Sequence, residues 1–235
     1  MRAAVLQSNY IPWKGYFDII HDVDVFVFHD DLQYTKGDWR NRNRIKAPSG
    51  PAWLTIPVGA SEHRRICDVH LPSGDWARAH WRRIEASYRR APYFSELKDY
   101  FEPLYLARRW RTLAELNQTL IAGIARDLLG IGTRFLDSRD FDLTSAKGAR
   151  LLDLLGRLGA DTYVSGPAAK AYIDADVFEA AGIRVEWKAY RYPEYPQLHG
   201  PFVHEVSILD LLVHTGPEAP RYIWGVQGGS RGCLT

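Results

Sequence analysis

The sequence predicts an α/β protein with a mainly parallel central sheet flanked by helices, and a helical insertion at about residues 75–130. Three observations carry this. A short apolar run, a helical segment and a second β-prone run open the chain as a βαβ unit. A long stretch with helical periodicity interrupts it. An alternation of helix and strand patterns then returns after residue 145. With 235 residues, 46% hydrophobic and 25% charged, the composition is that of a globular chain, read as a single α/β domain over 1–235.

Ala3–Gln7 is short and apolar, and reads as the first strand. Ser8 to Gly15 carries loop punctuation, and Tyr16–His21 suits one or two helical turns. Asp24–His29 is rich in Val and Phe and reads as the second strand. Asp30–Pro51 is polar and longer than most connections, so it reads as a functional loop. Ala52–Val58 follows as a third strand, with Pro57 placing its end at an edge.

From Asp75 to about Gly130 the period becomes helical. Trp76, His80, Ile84 and Tyr88 share one face, Pro92 and Pro103 break the stretch, and Leu113, Leu116, Leu120, Ile124 and Leu128 form a stripe. Ser145–Leu158 reads as an amphipathic helix, Thr162–Ser165 as a strand, Ala168–Ala181 as a helix and Ile183–Trp187 as a strand. Tyr190–Phe202 is extended or looped, and Ser207–His214 is a short helix with Ser207 as its N-cap and Gly216 after its end. The tail from Gly225 reads as loose, and no internal repeat is evident.

Charge and cysteine usage narrow the function classes. Net charge is +2, too near balance for a nucleic-acid binder. Residues 1–118 carry a net +4 and residues 119–235 a net −2, so the N-terminal half presents a basic face to an anionic ligand or acidic partner. Cys67 and Cys233 form no CxxC, and no His/Cys pair has metal-ligand spacing; neither a disulfide framework nor a metal site is expected. No apolar run approaches the roughly 18–20 residues of a membrane span. A cytoplasmic protein is expected, without cofactor.

In an open parallel sheet, ligands sit beyond the carboxyl ends of the strands. That rule selects Gln7–Gly15, His29–Lys46 and Ser165–Lys170. The strongest cluster is Asp30-Asp31-Leu32-Gln33-Tyr34 with Trp39 to Arg44. Two adjacent carboxylates repel, which raises one pKa and suits it to acid or base work. Arg42 and Arg44 suit a bidentate grip on phosphate or carboxylate. A structural role, with Asp30 capping a turn and the arginines pairing with the aspartates, stays open. His80 is a candidate base or a core histidine. Cys67 reads as an inert thiol, and the Tyr190–Tyr195 run as a stacking surface or a packed lid.

Several blocks resemble one family. They are Gln7-x-Asn9-Tyr10-x-Pro12-Trp13-x-Gly15-Tyr16-Phe17, Asp24 to Phe28 with Asp30-Asp31-x-Gln33-Tyr34, and Trp39-x-Asn41-Arg42-Asn43-Arg44-Ile45. Further blocks are Trp53 to Val58, His80 to Phe94, Tyr163-x-Ser165-Gly166-Pro167, Tyr195-Pro196-Gln197 and Ser207 to Leu212. In order and over nearly the whole chain, they resemble the WbqC-like protein family. The resemblance implies association with polysaccharide or secondary-metabolite biosynthesis. It fits an acyl or aminoacyl transferase moving a group from a carrier-protein thioester to an amine, an amino sugar, nucleotide-sugar or small metabolite. An acidic acyl-carrier protein is the implied partner, suited to the basic face. The alternative is a non-catalytic sugar- or partner-binding module.

On this reading Asp30, Asp31 and His80 transfer protons. Gln7, Tyr10, Gly15, Gln33, Tyr34, Arg42, Asn43, Arg44, Tyr88, Ser165, Gly166, Tyr195 and Gln197 bind and orient substrate. A second likeness, to nucleotidylyltransferase-type α/β folds, lacks both histidines of the His-x-Gly-His loop at Pro12–Tyr16.

Overall fold

A computed structural model describes residues 1–61, 63–145 and 147–225. Five parallel strands form the central sheet: β1 (Arg2–Leu6), β2 (Val25–Phe28), β5 (Arg134–Asp137), β6 (Thr162–Ser165) and β7 (Arg184–Trp187). Their order is β5-β2-β1-β6-β7. The chain builds outward from β1 through β2 to β5, then crosses back to lay β6 on the other side of β1. That is the strand order of a doubly wound sheet, with its switch point between β1 and β6. The predicted α/β class is therefore the observed one.

Strand alternation divides the core between the two faces. Ala3 and Val5 of β1, with Val25 and Val27 of β2, pack with Leu154 and Leu155 of α5 (Lys147–Leu158) and Phe178 of α6 (Ala175–Ala180). Ala4, Phe26 and Phe28 face the other way, toward Phe17, Ile19 and Ile20 of α1 (Lys14–His21) and Leu211 and Leu212 of α7 (Ile208–Thr215). Ser207 caps α7, its Oγ accepting the Leu209 N–H at 3.2 Å, and Gly216 ends it at φ 50°.

Two local expectations about strands are corrected. Residues 42–47, read within a loop, form β3 (Arg42–Ala47), which pairs antiparallel with β4 (Gly50–Thr55) in a separate hairpin. The expected third sheet strand is thus a hairpin arm. Arg42, Asn43, Arg44 and Ile45 alternate outward and inward, with Asn43 and Ile45 buried. Polar residues at both phases hid that period. The edge strand β5 was not expected at all.

The segment expected to be helical contains α2 (Trp76–Tyr88), α3 (Phe94–Leu106) and α4 (Leu113–Gly123), followed by a π turn over Ile124–Leu128. They share the buried core that holds α1, α7 and one sheet face. Pro103 does not break α3. It sits in the last turn, whose carbonyl still receives Ala107 N–H at 3.0 Å. Residues 167–180 are a 3-10 turn (Pro167–Ala171) and the short α6, not one helix. The tail beyond Gly225 lies outside the described residues. No helix among the described residues is long and apolar enough to cross a membrane.

Candidate functional site

The carboxyl edge of the sheet gathers the polar residues. Asp30, just past β2, is fully buried. Its Oδ1 accepts the Ser8 N–H at 2.8 Å from the end of β1, and its Oδ2 accepts Gln118 Nε2 at 2.9 Å from α4. The same Gln118 nitrogen reaches Asp137 Oδ2 at 2.9 Å, so one amide ties β2 to β5. Burial raises the Asp30 pKa, opposed by these hydrogen bonds. The cause is therefore desolvation, and the carboxylate that adds a smaller repulsive push is Asp137, not the adjacent Asp31. Burial works in the same direction on Asp137, but hydrogen bonds from Arg139 overcome it and hold that carboxyl below its ordinary value.

Asp31 points elsewhere. Its Oδ1 accepts Ser138 Oγ at 2.6 Å, and its Oδ2 pairs with Arg150 of α5. His29 stands beside this pair, with Nε2 3.7 Å from Asp31 Oδ1 and accepting Arg150 Nε at 3.4 Å. A nitrogen that accepts from a guanidinium carries a lone pair, so His29 is the neutral tautomer protonated at Nδ1. Burial lowers its pKa, with Arg150 acting the same way and Asp31 opposing. Asp31 and Arg150 form one wall of an open cleft of about 610 Å³, whose other cations are Arg65 and Arg139.

Other expected site residues fall into separate groups. Gln7 and Asn9 accept the two arms of the Arg40 guanidinium, which fixes the loop after β1. Ser165 and Gly166 lie at the same sheet edge. Ser165 is buried, and a Cβ on Gly166 would come within 2.8 Å of the Tyr190 hydroxyl. Gln33 is exposed and bridges to Arg65, while the buried Tyr34 ring lies under the Arg64 guanidinium at 5.3 Å. Gly15 is packed under Trp13, where a Cβ would approach the indole to 2.3 Å.

The structure does not bring His80 to the strand-end cluster. The ring is buried, with Nδ1 2.9 Å from the Tyr10 hydroxyl and Nε2 3.2 Å from the Thr55 carbonyl. Nε2 must donate to the carbonyl, so Nδ1 accepts from Tyr10. Tyr10 also meets the Tyr105 hydroxyl at 2.8 Å. Burial pushes the His80 pKa down to about 4. Both nitrogens are committed to the core, and the geometry gives His80 and Tyr10 a structural place.

Tyr88, Tyr195 and Gln197 meet around the fully buried Asp210. Its carboxylate accepts Tyr88 Oη at 2.9 Å, Tyr195 Oη at 2.9 Å and Gln197 Nε2 at 2.7 Å. Gln197 Oε1 takes Lys46 Nζ at 2.7 Å, and Tyr88 Oη accepts the Lys46 N–H at 2.8 Å. This network clamps the 195–203 segment to the hairpin and α7. Lys14 works in parallel: its ammonium lies 5.0 Å from the Tyr192 ring and 4.9 Å from the Tyr195 ring, and burial lowers its pKa to about 8.

Arg42 and Arg44 point outward from β3 over Trp53, at 4.3 and 5.6 Å from its ring. Asn43 points inward, and its amide donates to the carbonyls of Tyr10 at 3.0 Å and Ile11 at 2.9 Å. Ile11 is held at φ 37°, a strained conformation for a β-branched residue. Beside it lies a cavity of about 290 Å³ lined by Asn9, Pro12, Trp13, Trp39, Asn43 and Glu205.

Sequence reasoning missed Gln118, Asp137, Arg139 and Arg150, and assigned no role to His29 or Arg40 although both lie in the His29–Lys46 segment it selected. The signals available were the place of His29 at a strand end and that of Arg40 in the Arg-rich loop. Among the described residues no group of three or more His, Cys, Asp or Glu is placed to hold a metal ion.

The profile of the WbqC-like protein family matches residues 7–222. An uncharacterized protein of Mycobacterium tuberculosis (strain ATCC 25618 / H37Rv), Rv1507c, is 47% identical over 225 residues, covering 94% of this chain and 97% of the relative. No solved structure matches the chain significantly. With motif blocks spread from the end of β1 to α7, and a match running from Gln7 to Tyr222, the chain belongs to the WbqC-like protein family.

Proposed function

We propose that this protein transfers an acyl or aminoacyl group from a carrier-protein thioester to an amine, such as an amino sugar or small metabolite. The observation that supports it most is the Asp31–Arg150 pair in the wall of an open cleft at the sheet's carboxyl edge, with the buried His29 directly behind it. It combines a neutral base, a carboxylate to meet an ammonium, and a guanidinium.

In this reading Asp31 holds the acceptor as its ammonium, which gives one proton to solvent to become the free amine, and His29 Nε2, exchanging the Arg150 N–H for that of the amine, takes the second proton as the amine attacks. The amine nitrogen forms a bond to the thioester carbonyl carbon, the carbon–sulfur bond breaks, and His29 returns the proton to the departing thiolate. Arg150, Arg139 and Arg65 supply positive charge for the oxyanion and for an acidic carrier at the rim. Asp30 and Gln118 position the strand ends and touch no substrate. Glycine-backed Ser165 and the Arg40 fork shape the neighbouring edge.

The test is a pair of variants, His29→Gln and Asp31→Asn. Each is expected to lose roughly 10²–10⁴-fold in transfer rate while keeping the native circular dichroism spectrum. The wild-type rate should fall on acidification only below the ordinary histidine range, and that limb should vanish in His29→Gln. Full activity in both variants would refute the assignment. The non-catalytic binding module is favoured by one fact, that Asp31 is already paired with Arg150; it predicts that both variants keep their biological role.

A further inference from the structure

The hairpin carries a second feature that the strand-end chemistry does not use. Trp39 and Trp53 are large apolar side chains left 41% and 38% exposed. Their rings are 5.4 Å apart and tilted by 35°, so they form one continuous aromatic shelf. The shelf borders the 290 Å³ cavity through Trp39, and Trp13 forms another wall of it. Two neighbouring indoles left this exposed make an apolar patch of the kind that marks a binding surface.

The charges beside the shelf are unbalanced. Arg42 makes no ion pair among the described residues, and Arg44 has only Glu205, at 3.9 Å on an exposed side chain. Each of Arg42 and Arg44 also keeps a buried Nε–H with no hydrogen-bond partner. Guanidinium forks with free donors fit carboxylate or phosphate oxygens. Asn43, held on the strained Tyr10–Ile11 turn, fixes the cavity floor by hydrogen bonds on its inward side. The cavity is at the small end of ligand sites, which run to about 300–1,000 Å³, so one ring is its natural occupant.

We infer that the Trp39–Trp53 shelf and the adjoining cavity bind a pyranose ring bearing a phosphate or carboxylate, the ring stacked on indole and the anion held by Arg42 and Arg44. A pyranose presents an apolar C–H face and a polar rim, which matches an indole wall edged by guanidiniums. The inference stands apart from the proposed transfer, since it requires binding alone.

The test is titration of the full-length protein with glucose 1-phosphate, glucuronate, glucose and inorganic phosphate, followed by the indole N–H resonances in NMR. Trp39→Phe assigns the Trp39 signal. Saturable shifts of the Trp39 and Trp53 signals are expected with glucose 1-phosphate, glucuronate or both, and which of them binds more tightly tells a phosphate site from a carboxylate site. Glucose and phosphate alone should bind at least about tenfold more weakly. Trp39→Ala and Arg44→Gln, both at exposed or half-exposed positions, should each weaken binding by about tenfold or more with unchanged melting temperature. Absence of saturation with both anionic sugars up to tens of millimolar would overturn the inference. So would equal binding of glucose, or binding unaffected in both variants.

Discussion

Replacing Tyr88 by Phe separates a clamp from a binding site. The hydroxyl accepts the Lys46 N–H at 2.8 Å and donates to Asp210 Oδ2 at 2.9 Å, with all three groups buried. Tyr88→Phe leaves the ring packing intact and removes only those two bonds. A stranded buried N–H costs about 1–3 kcal/mol, and a lost bond to a charged group about 1.5–3 kcal/mol. Part of each is recovered by relaxation, so a net loss of about 3 kcal/mol is expected. For a chain of this size 1 kcal/mol lowers Tm by about 2–4 °C, so the melting temperature should drop by about 6–12 °C. Differential scanning calorimetry measures it directly, with the transfer rate at a temperature well below both transitions as the companion reading. That rate should stay within about threefold of wild type. An unchanged Tm would refute the clamp. A collapse of the rate in a protein of normal stability would place Tyr88 in the chemistry instead.

Other consequences follow from the same geometry. His80 is held neutral with a pKa of about 4 against an ordinary histidine value near 6.5. The unfolded chain therefore takes up that proton first, and stability complete above pH 6.5 is lost as pH falls toward 4, by about 3 kcal/mol from this residue. Urea midpoints across that window should fall in wild type and fall less steeply in His80→Leu. Parallel slopes would contradict the burial argument. Gly15→Ala drives a Cβ to 2.3 Å from the Trp13 indole, and should destabilise by about 1–3 kcal/mol with a shifted Trp fluorescence maximum. Gly216→Ala combines φ 50° with a Cβ 2.4 Å from the Tyr93 ring. It should cost more than Gly15→Ala in chemical denaturation, because backbone strain adds to the clash.

Where one side chain's neighbours are close in sequence, the fold was readable. Val25–Phe28 and Thr162–Ser165 are buried on both faces, so their β-prone, apolar runs stand out. The Leu113–Ile124 stripe is legible for the same reason. Arg134–Asp137 is a half-exposed edge strand with only Phe135 and Leu136 apolar, and Arg42–Ala47 opens Arg-Asn-Arg; neither run is long or apolar enough to stand out. The site shows the same limit. The strand-end rule led to Asp30 and Asp31, but their partners come from 88 and 119 residues away, on α4 and α5. Gln118 on a helix surface and Arg150 in an amphipathic stretch look like ordinary solvated residues. Conversely, Tyr195 and Gln197 sit in a proline-rich loop that suggests a ligand, and Asp210, hidden within an apolar helix, satisfies them instead.

Acyl transfer at the Asp31–Arg150 cleft is the central proposal, and intact mass spectrometry reads it most directly. Acyl-carrier thioesters are incubated with amino-sugar nucleotides and small amines, with and without the protein. The account predicts loss of the acyl mass from the carrier and an equal gain on one amine, present with wild type and absent with His29→Gln. Unchanged masses across a broad panel, from a protein that still binds a carrier or a sugar by calorimetry, would contradict it.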